Sequence, residues 1–84
     1  MDRLQNAQSS IEAARIALTQ HGDREAAEVL RGVEVYSRES AEVALDTVRR
    51  MSPNTDAGQM ARVDALCALE AAVLFRPSLL PAVA

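Results

Sequence analysis

The sequence predicts an all-α fold: a small three-helix bundle of the up-down-up type, with a long central second helix and an apolar C-terminal tail. Three observations support this. Apolar residues recur at helical steps of three and four along most of the chain. The few glycines and prolines fall where these runs end. The 84 residues are 49% apolar but include only one Tyr and one Phe, so the core must be built from aliphatic side chains. A chain of this length forms one domain.

The first helix is predicted over residues 2–21. Asp2 can cap its N-terminus, with Gln5 at the position that completes a capping box. Gly22 ends the helix because glycine tolerates the left-handed conformation found after a helix. The apolar positions form one narrow edge of the type seen in coiled coils, which predicts an outer helix with a single packed side: Leu4, Ala7, Ile11, Ala14 and Leu18.

The second helix is predicted over residues 23–51, capped by Asp23 and ended before Pro53, which disfavours helix at the preceding residue. At about 1.5 Å per residue it would reach roughly 40 Å, which is longer than either neighbour. Two outcomes are possible. The helix bends near Gly32 or near Ser37–Ser40, where two serines interrupt its apolar stripe, or its overhang packs against a partner. The sequence-based interpretation favours the partner.

The third helix is predicted over residues 55–76, with Ser52 or Thr55 as its cap and Pro77 as its end. It is apolar on nearly every side, which is typical of a buried helix. Large side chains fill one half of its surface, and small ones form a stripe on the other. Helix one, the tail or a second copy must cover that stripe, which we predict as an interaction surface: Ala61, Ala65, Ala68 and Ala72.

The C-terminal tail, residues 77–84, is unusually apolar for a terminus, since it contains Leu79, Leu80 and Val83. It either folds back over the bundle end or docks on another chain. We therefore include these three residues in the predicted interaction surface. Truncation at Arg76 is expected to change assembly or solubility.

Three residues of the sequence are candidates for a chemical role. Glu70 falls in the middle of the large apolar half of helix three, where a lone carboxylate is costly. A buried charge pair with Arg15 is predicted, with Arg49 and Arg50 as alternative partners. The other possibility is that Glu70 faces solvent at a gap in the packing. Cys67 is expected to pack as a small hydrophobe. His21 is expected to interact favourably with the C-terminal end of helix one.

The residue pattern predicts no enzyme. It contains no nucleophile–base pair, no phosphate-binding loop and no metal-ligand set, so no catalytic residue, cofactor, metal or small-molecule ligand is predicted. All nine basic residues are Arg, which suggests a GC-rich bacterial genome. The N-terminus lacks the order of a signal peptide, and the apolar stretch 65–84 is interrupted by charges and prolines. We therefore expect a cytoplasmic protein without a membrane partner.

The function predicted on these grounds is helix-mediated protein–protein interaction, beginning with self-association as a homodimer or other homo-oligomer. One alternative is a small adaptor or chaperone that masks a helix of another bacterial protein. A less favoured alternative is a helix-turn-helix regulator, with which the Gly22–Asp23 turn is compatible. The net charge of −3 argues against nucleic acid as a partner.

Overall fold

The computed structural model describes residues 2–74, which form four helices: α1 (Arg3–Gln20), α2 (Arg24–Leu30), α3 (Arg38–Arg50) and α4 (Asp56–Leu74). No strand occurs within that range. The all-α prediction is therefore confirmed. The three-helix detail is wrong, because the predicted second helix is two separate helices. Residues 75 and 76 of the predicted third helix and the tail 77–84 lie outside the described residues.

Helix α1 begins and ends for the reasons that the sequence indicated. The Asp2 carboxylate accepts a hydrogen bond from the Gln5 backbone N–H at 2.7 Å, which caps the first turn. Gly22 follows the helix with φ +84°, in the left-handed region that favours glycine. The buried residues of α1 are four of the five predicted edge positions, Ala7, Ile11, Ala14 and Leu18, and Leu4 is partly buried.

The predicted helix over 23–51 breaks at both of its weak points. Gly32 adopts φ +79°, which takes the chain out of the helical path after α2. The Ser37 hydroxyl then accepts from the Ser40 N–H at 3.1 Å, and the Ser40 hydroxyl accepts from the Ser37 N–H at 2.9 Å. This reciprocal capping starts α3 because serine side chains offer the backbone an alternative to continued helix.

The segment between α2 and α3 packs back onto α1. Val35 is buried, and its N–H donates to the Gln8 side chain of α1 at 2.6 Å. The hydrogen bond fixes the end of the segment against the first helix. The long overhang that favoured a partner in the sequence analysis therefore does not exist, since α2 and α3 together fit within the monomer.

A buried carboxylate ties the two remaining turns together. Asp23, only 3% exposed, accepts hydrogen bonds from the N–H groups of Asn54 and Thr55 at 2.8 and 3.1 Å, and from the Thr55 hydroxyl. The bonds from the Thr55 side chain and the Asn54 backbone lower the pKa of Asp23, because they favour its charged form. Asp23 was expected to cap helix two, but its side chain makes no capping bond to α2.

The same contact explains the glycine in the first turn of α4. The Thr55 hydroxyl accepts from the Gly58 N–H at 2.9 Å, so Thr55 caps α4. A Cβ atom at Gly58 would overlap Asp23 Oδ2 and would lie 2.8 Å from Pro53 Cβ. A residue without a side chain is therefore required where α4 begins.

The core lies between α4 and its neighbours. The α1–α4 pair forms the most extensive helix contact, followed by α3–α4 and α1–α2. The largest fully buried side chains come from all four helices: Ile11, Leu18, Leu30, Leu69 and Val48. Arg62 of α4 donates to the backbone oxygens of Val48 and Arg49 at 3.1 and 2.9 Å, which satisfies carbonyls at the C-terminal end of α3.

Candidate protein-interaction surface

The small residues of α4 are buried within the chain. Ala65 is 0% exposed, and Ala61, Ala68 and Ala72 are each 8% exposed. They belong to the same core cluster as the buried edge of α1. The predicted alanine interaction stripe is thus covered by intramolecular packing, and it is not available to a partner.

The opposite side of α4 is apolar and uncovered. Met60, Val63 and Leu74 are 63%, 47% and 69% exposed, and Cys67 and Ala71 are exposed as well. We call these five residues the α4 stripe. On an ideal helix they fall within an arc of about 80°. The α4 stripe therefore forms one apolar line, centred about 130° around the helix from the buried alanines.

Packing distance explains which side of α4 is buried. Helix axes lie about 8–10 Å apart, and the separation depends on the side chains at the contact. Alanines at 61, 65, 68 and 72 allow α1 to approach closely, and Ile11 and Leu18 of α1 are buried in the same core cluster. The large residues on the other side would hold α1 further away. Two large residues of α4, Leu69 and Val73, are buried as well, at 0% and 9% exposed, so small size contributes to the orientation of α4 but does not decide it alone.

Charged residues border the α4 stripe on both edges. Asp64 lies on the edge nearer α1, where it lines a shallow pocket with Ser10, Ala13 and Ala17. Glu70 lies on the edge nearer α3, with its carboxylate 3.6 Å from the Arg49 guanidinium. The stripe itself carries no charge. Such an uncharged line between polar edges resembles the contact face of a helix in a helix pair.

The Glu70 ion pair differs from the predicted one. The partner is Arg49, one of the two alternatives, and both side chains are about half exposed, at 57% and 46%. Arg15 instead lines a pocket that α1 forms with residues 30–34. The buried Glu70–Arg15 pair is thus not observed, because the half of α4 that carries Glu70 faces away from α1.

A second apolar patch lies beside the α2–α3 connection. An open groove of about 610 Å³ runs from Gly32 to Thr47 and includes the exposed side chains of Tyr36 and Val43. Its lining also includes Glu34 and Glu39. Carboxylates thus lie within the lining of this groove, whereas Asp64 and Glu70 lie at the edges of the α4 stripe.

Cys67 and His21 are the other two residues that the sequence offers for a chemical role, and both are exposed. Cys67 is exposed, so its expected packing in the core is wrong. His21 is exposed at the C-terminal end of α1. Among residues 2–74, no three His, Cys, Asp or Glu side chains cluster closely enough to hold a metal ion. The described helices include none whose length and apolar character would suit a membrane crossing.

The predicted tail residues Leu79, Leu80 and Val83 lie outside the described residues. In comparisons with known proteins, the sequence matches no family model and no curated protein, and the structure matches no solved structure. The argument on function therefore depends on the surface of the molecule itself.

Proposed function

We propose that this chain is a helix-mediated protein–protein interaction module that associates first with a second copy of itself, through the α4 stripe. The observation that supports this most is the uncovered apolar line on a helix whose other side is fully packed. The proposal includes no catalytic activity, cofactor or membrane, and it assigns the module to the bacterial cytoplasm.

The energetics favour covering the α4 stripe. Full burial of one Met, Leu or Val side chain is worth roughly 1.5–3 kcal/mol, and three such residues are partly exposed here. Single apolar residues on a surface are ordinary. A line of them at steps of three and four is not, because it matches the pattern by which one helix packs against another.

A small core gives the chain a further reason to associate. A domain of this size buries only about 60–65% of the surface of its unfolded chain, so its stability margin is narrow. The largest buried side chains are Leu and Ile, and many core positions are alanine, which contributes little burial. Association adds apolar burial that the monomer lacks, and it stabilises the fold by mass action.

A matched pair of valines tests this proposal. Val63 on the α4 stripe and Val29 on α2 are almost equally exposed, at 47% and 44%. Val63→Glu is expected to weaken self-association at least tenfold, because it places a charge within the apolar line. Val29→Glu adds the same charge elsewhere and is expected to leave association unchanged. Sedimentation equilibrium measures both dissociation constants, and circular dichroism checks that both variants keep the native helix content.

The proposal is contradicted if Val63→Glu and Val29→Glu associate equally well. A monomeric native chain at millimolar concentration, with Val63→Glu identical to it in every property, would instead favour the adaptor that masks a helix of a different protein. Capture of that helix would then be expected to depend on Val63 and not on Val29.

The C-terminal tail is a second contributor to the proposed module. In the sequence it begins three residues after Leu74, which is the last described residue of α4 and part of the α4 stripe. Truncation after Arg76 removes Leu79, Leu80 and Val83 and is expected to lower self-association or solubility. Light scattering and a solubility series compare the truncated and full-length chains. Identical mass, solubility and melting of the two would remove the tail from the proposal.

A further inference from the structure

The groove beside the α2–α3 connection combines an apolar surface with two carboxylates that have no cation partner. Tyr36 and Val43 are 76% and 69% exposed there. Glu34 and Glu39 also line the groove, and neither forms an ion pair within residues 2–74. The two other acidic residues of α3 are each paired with an arginine of the same helix. The groove therefore suits a segment that carries a cation next to apolar side chains.

The volume of the groove limits what it can hold. At about 610 Å³ it is similar in size to sites for one drug-sized ligand, which typically measure about 300–1,000 Å³. This is enough for a few side chains of an extended segment. It is not enough for a helix of several turns, which is about 10–12 Å across with its side chains.

The groove lies at the end of the bundle where the described part of α4 stops. Helix α4 runs antiparallel to α1, because a Cβ atom at Gly58 in its first turn would lie 3.0 Å from Leu18 Cδ2 near the end of α1. The last turns of α4 therefore lie beside the first turns of α1. Gln8, in the second turn of α1, binds Val35, which lies between two residues that line the groove. A segment that follows α4 thus begins at the same end of the bundle as the groove.

We infer that residues 76–83 of the same chain, which we call the docking segment, occupy this groove. Arg76 lies beside the two unpaired carboxylates, and Leu79 and Leu80 cover the apolar surface. Arg76 is the only charged side chain among residues 75–84, so the docking segment matches the groove in charge as well as in polarity. The inference goes beyond the proposed function, because the groove lies on α3 and its connection and not on the α4 stripe.

The length and the prolines of the docking segment favour this position. Between Leu74 and Leu79 an extended chain spans roughly 17 Å, which exceeds the width of one helix. Pro77 and Pro81 disfavour a continued helix and restrict the conformations of the unbound segment. Docking therefore costs less conformational entropy than it would for a segment without prolines.

The covalent link between α4 and the docking segment makes a weak contact sufficient. A short flexible linker holds two attached groups at an effective concentration in the millimolar range. At micromolar protein concentrations the docking segment of the same chain therefore competes successfully against that of a second copy. Because it covers Tyr36 and Val43, docking is expected to raise the solubility of the chain.

A disulfide between the docking segment and the groove tests this inference on the full-length chain. In a Cys67→Ser background, Val43→Cys and Leu79→Cys are combined in one chain, which is oxidised mildly at micromolar concentration. Intact-mass spectrometry distinguishes a disulfide within one chain from a disulfide-linked dimer, and the first is expected to dominate. Val43 and Cys67 are exposed, so the fold is expected to persist, and circular dichroism checks it.

Charge reversal distinguishes docking from random collisions of a tethered segment. Arg76→Glu alone, or Glu34→Arg with Glu39→Arg, is expected to slow formation of the disulfide by about threefold, which is within the range of a surface ion pair. Combining all three reversals is expected to restore the original rate. Glu25→Arg with Glu28→Arg is the control, since it changes the net charge equally outside the groove and is expected to leave the rate unchanged.

The fluorescence of Tyr36 gives an independent measurement without engineered cysteines. The chain contains one Tyr and no Trp, so this ring dominates the emission. Leu79→Asp with Leu80→Asp is expected to increase the quenching of Tyr36 by acrylamide about twofold, because side chains packed on the ring exclude the quencher. Val29→Asp, on α2, is expected to leave the quenching unchanged.

Several results would overturn the inference. One is a disulfide that does not form, or whose rate ignores the charges of the groove. Another is a quenching constant that is the same with and without Leu79 and Leu80. Disulfide-linked dimers as the main product would assign the groove to the docking segment of a second copy and would contradict docking within one chain. None of these results affects the α4 stripe, whose own test compares Val63→Glu with Val29→Glu.

Discussion

The two sides of α4 show how one helix can be apolar on most of its surface and still have one packed and one open face. On one side, Ala61, Ala65, Ala68 and Ala72 meet the core. On the other, the five residues of the α4 stripe face outward, although Met60, Val63 and Leu74 are larger and more hydrophobic than alanine. The difference shows that hydrophobicity alone does not determine which residues of α4 are buried, since alanines are covered while larger residues of the same helix are exposed.

The sharpest test of this comparison exchanges alanine for leucine on each side. Ala65→Leu is expected to destabilise the fold by about 1–3 kcal/mol, because three added carbons must fit into a fully packed contact. Ala71→Leu adds the same group on the exposed stripe and is expected to change stability by less than about 0.5 kcal/mol. Urea unfolding at low protein concentration measures both free energies.

The same two variants are also expected to differ in their effect on self-association. Ala71→Leu enlarges the α4 stripe and is expected to alter self-association, whereas Ala65→Leu acts through the fold. Equal destabilisation by the two substitutions would break the comparison, since it would mean that both sides of α4 are packed in solution.

The second prediction concerns the glycine where the buried side of α4 begins. Glycine to alanine inside an exposed helix normally stabilises by about 1 kcal/mol. Gly58→Ala is expected to destabilise instead, by about 1–2 kcal/mol, because the new Cβ would overlap Asp23 Oδ2 and press on Pro53. Thermal and urea unfolding give the sign. An increase in stability would show that the turn around Asp23 can shift to accommodate the added Cβ atom without destabilising the fold.

The third prediction concerns the carboxylate that holds the start of α4 in place. The Asp23 carboxylate accepts three hydrogen bonds. Asp23→Asn keeps one acceptor oxygen but removes the charge and the second acceptor oxygen. We therefore expect a loss of stability at pH 7 that is smaller than the loss for Ala65→Leu. Asp46→Asn is the control, since Asp46 lies in an exposed pair with Arg50. Urea unfolding measures the loss of stability in both variants. Equal losses would argue against a stabilising role for the hydrogen bonds that Asp23 accepts from Asn54 and Thr55.

The same residue gives the stability a pH dependence of known sign. The pKa of Asp23 is lowered in the folded state from an ordinary value of 3.8. Its contribution is therefore fully present above about pH 4, where it is ionised in both states, and it is lost as the pH falls through the lower folded-state pKa. The native chain is expected to lose stability on acidification below pH 4, and Asp23→Asn is expected to flatten that dependence. An unchanged pH profile in the variant would contradict this assignment.

The smallest effect is expected at the border between the two sides of α4. Arg49 and Glu70 form an ion pair with about half of each side chain exposed. Such pairs contribute roughly 0.2–1 kcal/mol, and added salt weakens them. A double-mutant cycle with Arg49→Ala and Glu70→Ala measures the coupling. A coupling of 3 kcal/mol or more would show that the border is buried, and hence that the two sides of α4 are not separated as described.

Local signals in the sequence were sufficient to predict where most of the helices begin or end. Asp2, Gly22 and Thr55 act where their chemistry predicts, because caps and left-handed turns depend on neighbouring residues alone. The break between α2 and α3 was an alternative in the sequence analysis, at the two positions where it occurs. The sequence pattern favoured one continuous helix, because the apolar stripe of residues 26–51 continues past the serines. Apolar periodicity gives no information about the capping hydrogen bonds that start α3.

Contacts between distant residues were not predictable in the same way. Asp23 lies 31 residues from Asn54, and no local pattern indicates that its carboxylate binds the second turn instead of its own helix. The orientation of α4 also depends on how closely α1 approaches. Since both sides of the helix are apolar, the sequence pattern cannot rank them, and the alanine stripe was assigned to the partner instead of the core.

The most direct test of the central proposal is the mass of the native chain in solution. Sedimentation equilibrium over a hundredfold range, from about ten micromolar to one millimolar, spans the dissociation constant expected of a weak helix pair. The account predicts a weight-average mass that rises from the 9.1 kDa of one chain toward twice that value. A constant mass of 9.1 kDa across the whole range would contradict the proposal that the open side of α4 binds a second copy.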